Sequence, residues 1–262
     1  MPMTSVALGG GRVHYEIAGD GPGLVLLHGT GGDADRVFGN VVDHFTGIRT
    51  VVRPNFSGSG DTEDGTAAPS VELLTAQAVA AIRATGGGEP VDLLGFSLGG
   101  AIAAAVAAEH PELVRRLVLV GSWAHTTGPR DRFNFSFWRD LYATDLGLYK
   151  RFMALQGFAP RVLDGWGHEA LAAAQNDVWP AGVDKQIEVC LQVDLRERLS
   201  RVVAPTLVVG FTADEMVPIE GSRHLHAGIK DSRLVEIEGE GHMDWFTDPS
   251  RIIGLTRDFI TA

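Results

Sequence analysis

The segment Gly95-Phe96-Ser97-Leu98-Gly99 constrains this chain more than any other stretch. A buried-type run, Val91-Asp92-Leu93-Leu94, leads straight into it, and Ala101-Ile102-Ala103-Ala104-Ala105-Val106-Ala107-Ala108, which reads as a helix, follows directly. A bare G-x-S-x-G match arises by chance in roughly one chain in six of this glycine and serine content, so the pattern depends on that setting. A strand that passes into a helix through so tight a turn needs glycines where backbone meets backbone. It also lifts the serine hydroxyl above the sheet. The new helix brings free N–H groups and positive potential beside that hydroxyl. The pattern predicts an α/β sheet with Ser97 as a nucleophile at the carboxyl end of a strand.

The rest of the chain agrees with such a sheet. Val6-Ala7-Leu8 and Arg12-Val13-His14-Tyr15-Glu16-Ile17 flank Gly9-Gly10-Gly11 as a hairpin. Short apolar runs at 24–27, 50–52, 91–94, 117–120, 206–209 and 234–237 read as buried strands, mostly parallel. Helices are expected near 34–45, 70–84, 98–109, 218–229 and 249–260, with Pro111 closing the third. Thr85-Gly86-Gly87-Gly88 reads as an exposed turn.

Residues 126–195 break the alternation, with short helical stretches and no strand. Of the 20 aromatic residues (12 Phe, 5 Trp, 3 Tyr), 11 fall within 121–180. Such rings serve as the core of an inserted helical subdomain, or line an apolar pocket beneath a lid, and the two roles are compatible. Trp123, Phe137, Trp138, Phe152 and Trp179 are the pocket candidates.

Composition excludes several function classes. The 22 Lys and Arg against 33 Asp and Glu give a formal net charge of −11, and no basic run of five exists, so a nucleic-acid partner is not expected. A single cysteine, Cys190, permits no internal disulfide, and no Cys/His cluster has zinc spacing. The chain is therefore expected in the cytoplasm, with no metal and no cofactor. Met1-Pro2-Met3-Thr4-Ser5-Val6 has neither the basic nor the apolar region of a signal peptide, and no apolar run approaches the ~18 residues of a membrane span, so no membrane partner is expected. With 262 residues, one domain can bury its core without staples. The sequence leaves open whether the protein is a monomer or a homo-oligomer.

A serine hydroxyl is a weak nucleophile and needs a base, which itself needs an orienting group. Among nine histidines, His242 lies in the loop after the last strand, at the end of the sheet where sites form. His28 also follows a strand, but it precedes the serine and opens a glycine loop. His224 and His226 sit two apart on a helix and diverge, which disfavours a metal site. Asp214, after the penultimate strand, is the leading acid, with Glu215 as its neighbouring alternative; Asp244 reads as an exposed neighbour of His242.

The order Ser97, Asp214, His242 resembles that of the α/β-hydrolase fold proteins, in particular their serine esterase and haloperoxidase-like members. The resemblance extends over nearly the whole chain, through His28-Gly29-Thr30-Gly31-Gly32 and Arg53-Pro54-Asn55-Phe56-Ser57-Gly58-Ser59-Gly60 as well as the elbow. It implies an eight-stranded, mostly parallel sheet flanked by helices, with its second strand antiparallel. It also implies a core of residues 1–125 and 196–262, with a helical cap or lid at 126–195. It further implies an oxyanion hole made by the backbone N–H groups of Thr30 and Leu98, Gly31 being the alternative to Thr30. Asn55 stands where relatives often carry Asp, a departure that concerns loop structure.

These readings converge on a serine hydrolase that cleaves a carboxylic ester, or a related acyl bond, of a small apolar substrate. Alternatives on the same fold are a thioesterase or lactonase acting on carrier-bound or secondary-metabolite acyl chains, a lyase or perhydrolase, and a receptor-like binding protein. Dehalogenases and epoxide hydrolases would carry Asp at position 97.

Overall fold

Strands form at the short β-branched and leucine-rich runs: β1 (Thr4–Leu8), β2 (Gly11–Ala18), β3 (Gly23–Leu27), β4 (Thr50–Pro54), β5 (Val91–Phe96), β6 (Val114–Val120), β7 (Thr206–Phe211) and β8 (Ser232–Ile237). The structure is a computed structural model that describes residues 4–85, 87–174, 176 and 178–262; Met1–Met3 and Gly86 of the sequence analysis lie outside the described residues. The strands build one sheet in the order β1-β2-β4-β3-β5-β6-β7-β8. β2 pairs antiparallel with β1 and β4, and every other pairing is parallel.

Because successive strand residues face opposite ways, each buried strand feeds two cores. Leu93 of β5 packs with α2 (Val71–Thr85) and α3 (Leu98–Glu109), whereas Leu94 and Phe96 pack on the other face with α1 (Ala34–Phe38) and α9 (Ser250–Thr261). All six residues of β5 are buried, as is α3 from Leu98 to Ala108. Each fully buried Leu, Ile or Val there contributes about 1.5–3 kcal/mol of apolar transfer, so the strand and helix on either side of Ser97 are anchored in the core.

Between β6 and β7 lie α4 (Pro129–Thr144), α5 (Leu146–Gly157), α6 (Pro160–Ala174) and α7 (Val183–Gln192); α8 (Ile219–Gly228) joins β7 to β8. The helix expected over 34–45 stops at Phe38, where Gly39-Asn40 interrupts it, and a separate 3-10 turn covers Val42–His44.

Candidate active site

Ser97 sits at the turn from β5 to α3 with φ 55° and ψ −122°, the single non-glycine residue of positive φ among the described residues. Such a conformation costs about 1–3 kcal/mol and persists where the surroundings over-determine it. Here the Ser97 N–H donates to the Val120 carbonyl at 2.9 Å, and its own carbonyl accepts from Ser122 Oγ at 2.8 Å. A Cβ on Gly95 would overlap the Gly99 carbonyl, and one on Gly99 the Leu27 carbonyl. The turn therefore closes only with glycine at both places.

Ser97, Asp214 and His242 come from loops after β5, β7 and β8, at the carboxyl ends of their strands. His242 Nε2 lies 3.0 Å from Ser97 Oγ, and Nδ1 lies 2.5 Å from Asp214 Oδ2. All three residues are buried. A carboxylate only accepts, so it holds the imidazole proton on Nδ1 and leaves the Nε2 lone pair facing the serine hydroxyl, the arrangement a general base requires. Asp214 is itself fixed by the Val217 N–H, which donates to Oδ1 at 2.7 Å. The neighbouring Glu215 side chain is exposed.

The other histidines have different partners. His28 Nδ1 is 2.9 Å from the Gly29 carbonyl, and its Nε2 accepts from the Phe56 N–H at 3.0 Å, so the ring joins two loops. Burial pushes its pKa from 6.5 down to about 4, and it stays neutral near pH 7. His224 stacks on His125 in a separate surface crevice, and His226 Nδ1 lies 2.8 Å from Ser232 Oγ. Among the described residues, no group of three or more His, Cys, Asp and Glu is placed to hold a metal ion, and no helix is long and apolar enough to cross a membrane.

Asp244 corrects the sequence reading. It is 3% exposed, and its carboxylate accepts from the Ala159 N–H at 2.9 Å, the Gly241 N–H at 3.0 Å and Arg161 Nη1 at 3.0 Å. It anchors the His242 loop to the start of α6. Asn55 ties loops together, as Oδ1 accepts from the Ala34 N–H at 2.8 Å and its carbonyl accepts from Thr62 Oγ1 at 2.7 Å.

The loop after β3 faces Ser97. Two of its amides are taken: the Gly31 N–H donates to Gln186 Oε1 at 2.8 Å and the Gly32 N–H to the Gly29 carbonyl at 3.2 Å. Gln186 carried no motif in the sequence; its partner lies 155 positions away. The Leu98 N–H opens α3, in the first turn where amides have no intrahelical acceptor.

A cavity of about 410 Å³ opens over Ser97 and His242, within the range of small-ligand sites. Trp138 and Trp179 line it, as do Phe158 and the methionines Met153, Met216 and Met243, whose flexible thioethers suit an apolar wall of adaptable shape. The remaining pocket candidates lie elsewhere. Trp123 is buried against Phe135 with its Nε1 donating to Thr126 Oγ1, and Phe137 and Phe152 pack edge to face on one another. Phe137 is 41% exposed.

Comparison with known proteins shows which family the fold belongs to. The family model of the alpha/beta hydrolase fold matches residues 22–249. A pyrrolizixenacetamide deacetylase of Xenorhabdus hominickii is 38% identical over 265 residues, spanning 99% of this chain and 98% of its own. A pimeloyl-(acyl-carrier protein) methyl ester esterase of Neisseria meningitidis is 28% identical over 249 residues, spanning 90% of this chain and 76% of its own. Among solved structures, the α/β hydrolase MGS-M2, from a Medee basin deep-sea metagenome library, superposes with a TM-score of 0.88 at 18% identity, spanning 99% of this chain and 98% of its own.

Proposed function

The chain belongs to the α/β-hydrolase fold family, and from that premise we propose that it is a serine hydrolase cleaving a carboxylic ester, or a related acyl bond, of a small apolar substrate. The observation that carries this reading is the unbroken hydrogen-bonded line from Asp214 through His242 to Ser97 at the floor of an apolar cavity. In the proposed reaction, Ser97 Oγ bonds to the acyl carbon as its proton passes to His242 Nε2, and the carbonyl electron pair moves onto oxygen. Fixed N–H dipoles from Thr30 and Leu98 stabilise that oxyanion, which exists only in the tetrahedral state. Collapse breaks the bond to the leaving oxygen, which departs with the proton from His242. Water then repeats the sequence on the acyl-enzyme, releasing the acid and restoring Ser97. Residues 126–195 act as a cap that supplies Trp138, Met153 and Phe158 to the cavity wall, over a core of residues 1–125 and 196–262.

The Xenorhabdus relative favours a second reading, deacetylation of a small N-acetyl compound, because its name is that of a deacetylase and it matches this chain end to end. The steps are the same, except that His242 must protonate a leaving amine. Turnover of p-nitrophenyl esters of graded chain length, beside a thioester, a lactone and an N-acetyl arylamide, tests both readings. The expected result is hydrolysis of short to medium acyl esters that disappears in Ser97→Ala. Turnover retained in Ser97→Ala, or tight ligand binding with no turnover by the unaltered protein, would contradict the assignment.

A further inference from the structure

We propose that Gln186, on α7, is a positioning residue that sets the oxyanion loop so that Thr30, and not Gly31, donates the N–H to the reacting carbonyl; this rests on the hydrolase reading above. Gln186 is 1% exposed, and its amide is used on both sides. Oε1 accepts the Gly31 N–H at 2.8 Å, while Nε2 donates to Ser59 Oγ at 2.7 Å and to the Ser57 carbonyl at 3.2 Å. Ser59 Oγ in turn donates to the Gly32 carbonyl at 2.5 Å, so one side chain grips the loop through its amide and, by way of serine, through its carbonyl.

The neighbouring contacts act in the same direction. Cys190, one helical turn beyond Gln186, places Sγ 3.1 Å from Thr30 Oγ1, and its thiol, raised to about 12 chiefly by burial, stays protonated. Gly31 has φ 74°, and a Cβ there would enter the Trp179 ring, so the loop keeps this course beneath the indole only with glycine at that position. Every buried backbone amide needs an acceptor, and here the accounting is selective. The Gly31 and Gly32 amides are satisfied within the protein, whereas no acceptor among the described residues takes that of Thr30, which borders the cavity. A transition-state oxyanion supplies that acceptor.

The test uses Gln186→Met, which keeps the side-chain volume and removes all three bonds, with Ser59→Ala as a milder variant that removes only the relay. Three readouts are kcat and KM for p-nitrophenyl acetate, the rate at which a fluorophosphonate labels Ser97, and hydrogen exchange at the Gly31 amide, with Tm recorded for each protein. Loss of one oxyanion donor typically costs about 10²–10³ in kcat, and a misplaced one costs less. Gln186→Met is expected to lower kcat about 10- to 100-fold with KM within about threefold, to slow labelling by a similar factor and to accelerate Gly31 exchange. Ser59→Ala should do the same more weakly. Unchanged kcat and labelling in Gln186→Met, or a Gly31 amide that already exchanges freely in the unaltered protein, would overturn the role. Ser97→Ala separates the two levels. Turnover surviving in Ser97→Ala defeats the hydrolase reading while Gly31 exchange still reports whether Gln186 holds the loop.

Discussion

The sheet and the helices inserted between β6 and β7 differ in how completely they are buried and in how they meet the site. Around β5 and α3, burial is nearly complete and the backbone itself sets the site: pairing with β3 and β6 places Ser97, and the registers of β7 and β8 place Asp214 and His242. Within the inserted segment, α6 has no buried residue, and Phe133, Leu155 and Val178 are largely exposed. The other inserted helices join the core through buried Phe135, Tyr149, Met153, Ile187 and Val189, and polar contacts add specific clamps at the loops of the site. Arg130 donates to the carbonyls of Glu215 and Met216 beside Asp214, Arg161 and the Ala159 N–H hold Asp244 beside His242, and Gln186 holds Gly31 beside Ser97. Each loop of the site thus receives one clamp from the inserted helices. In the proposed reaction the core supplies the reacting groups, and the insertion trims their placement through side chains. Substitutions in the first region should therefore abolish chemistry, and those in the second should grade it.

The largest effect belongs to the core. Asp214→Asn should lower kcat by about 10³–10⁴ through loss of the Nδ1–H tautomer, with Glu215→Gln within about twofold of the unaltered protein. The reverse ranking would move the orienting acid to Glu215 and undo the register argument.

A stability measurement sharpens the same contrast. His28 binds its proton near 6.5 when unfolded and near 4 when folded, so unfolding takes up a proton between those values. Its contribution is fully present above about 6.5 and is lost as pH falls toward 4, about 3 kcal/mol in all. Urea unfolding at pH 7.5, 5.5 and 4.5 should show that decline, and His28→Gln should flatten it while lowering stability at pH 7.5. An equally steep decline in His28→Gln would assign it to other groups.

The smallest effect belongs to the insertion. Arg130→Ala frees two carbonyls of the Asp214 loop and should lower kcat/KM about tenfold with little change in Tm. A change as large as that of Asp214→Asn, or none, would erase the distinction between supplying groups and placing them.

The difference between regions also explains what was legible in the sequence. The sheet was readable because strand burial, glycine placement and chain order are local signals; Gly95 and Gly99 announce the elbow by the closeness of the backbone they permit. Ser97, Asp214 and His242 could be singled out because each follows a strand that the apolar runs reveal. The clamps were not readable. Asp244 passes for a surface residue until Ala159 and Arg161 arrive from 85 and 83 positions away, and Gln186 is an unremarkable helical glutamine until Gly31 meets it. The pocket aromatics divided for the same reason. Composition marks a segment as ring-rich, but which ring faces the cavity depends on helix rotation, so Trp138 and Trp179 line it while Trp123, Phe137 and Phe152 pack elsewhere.

The central claim is that the core delivers a serine that becomes acylated. Rapid quenching of a reaction with a short-chain p-nitrophenyl ester, followed by peptide mass spectrometry, tests it directly. The account predicts a burst of one nitrophenolate per protein and an acyl mass increment on the peptide containing Ser97, decaying at the rate of turnover. Steady turnover with no increment on that peptide, or an increment on a different residue, would contradict it.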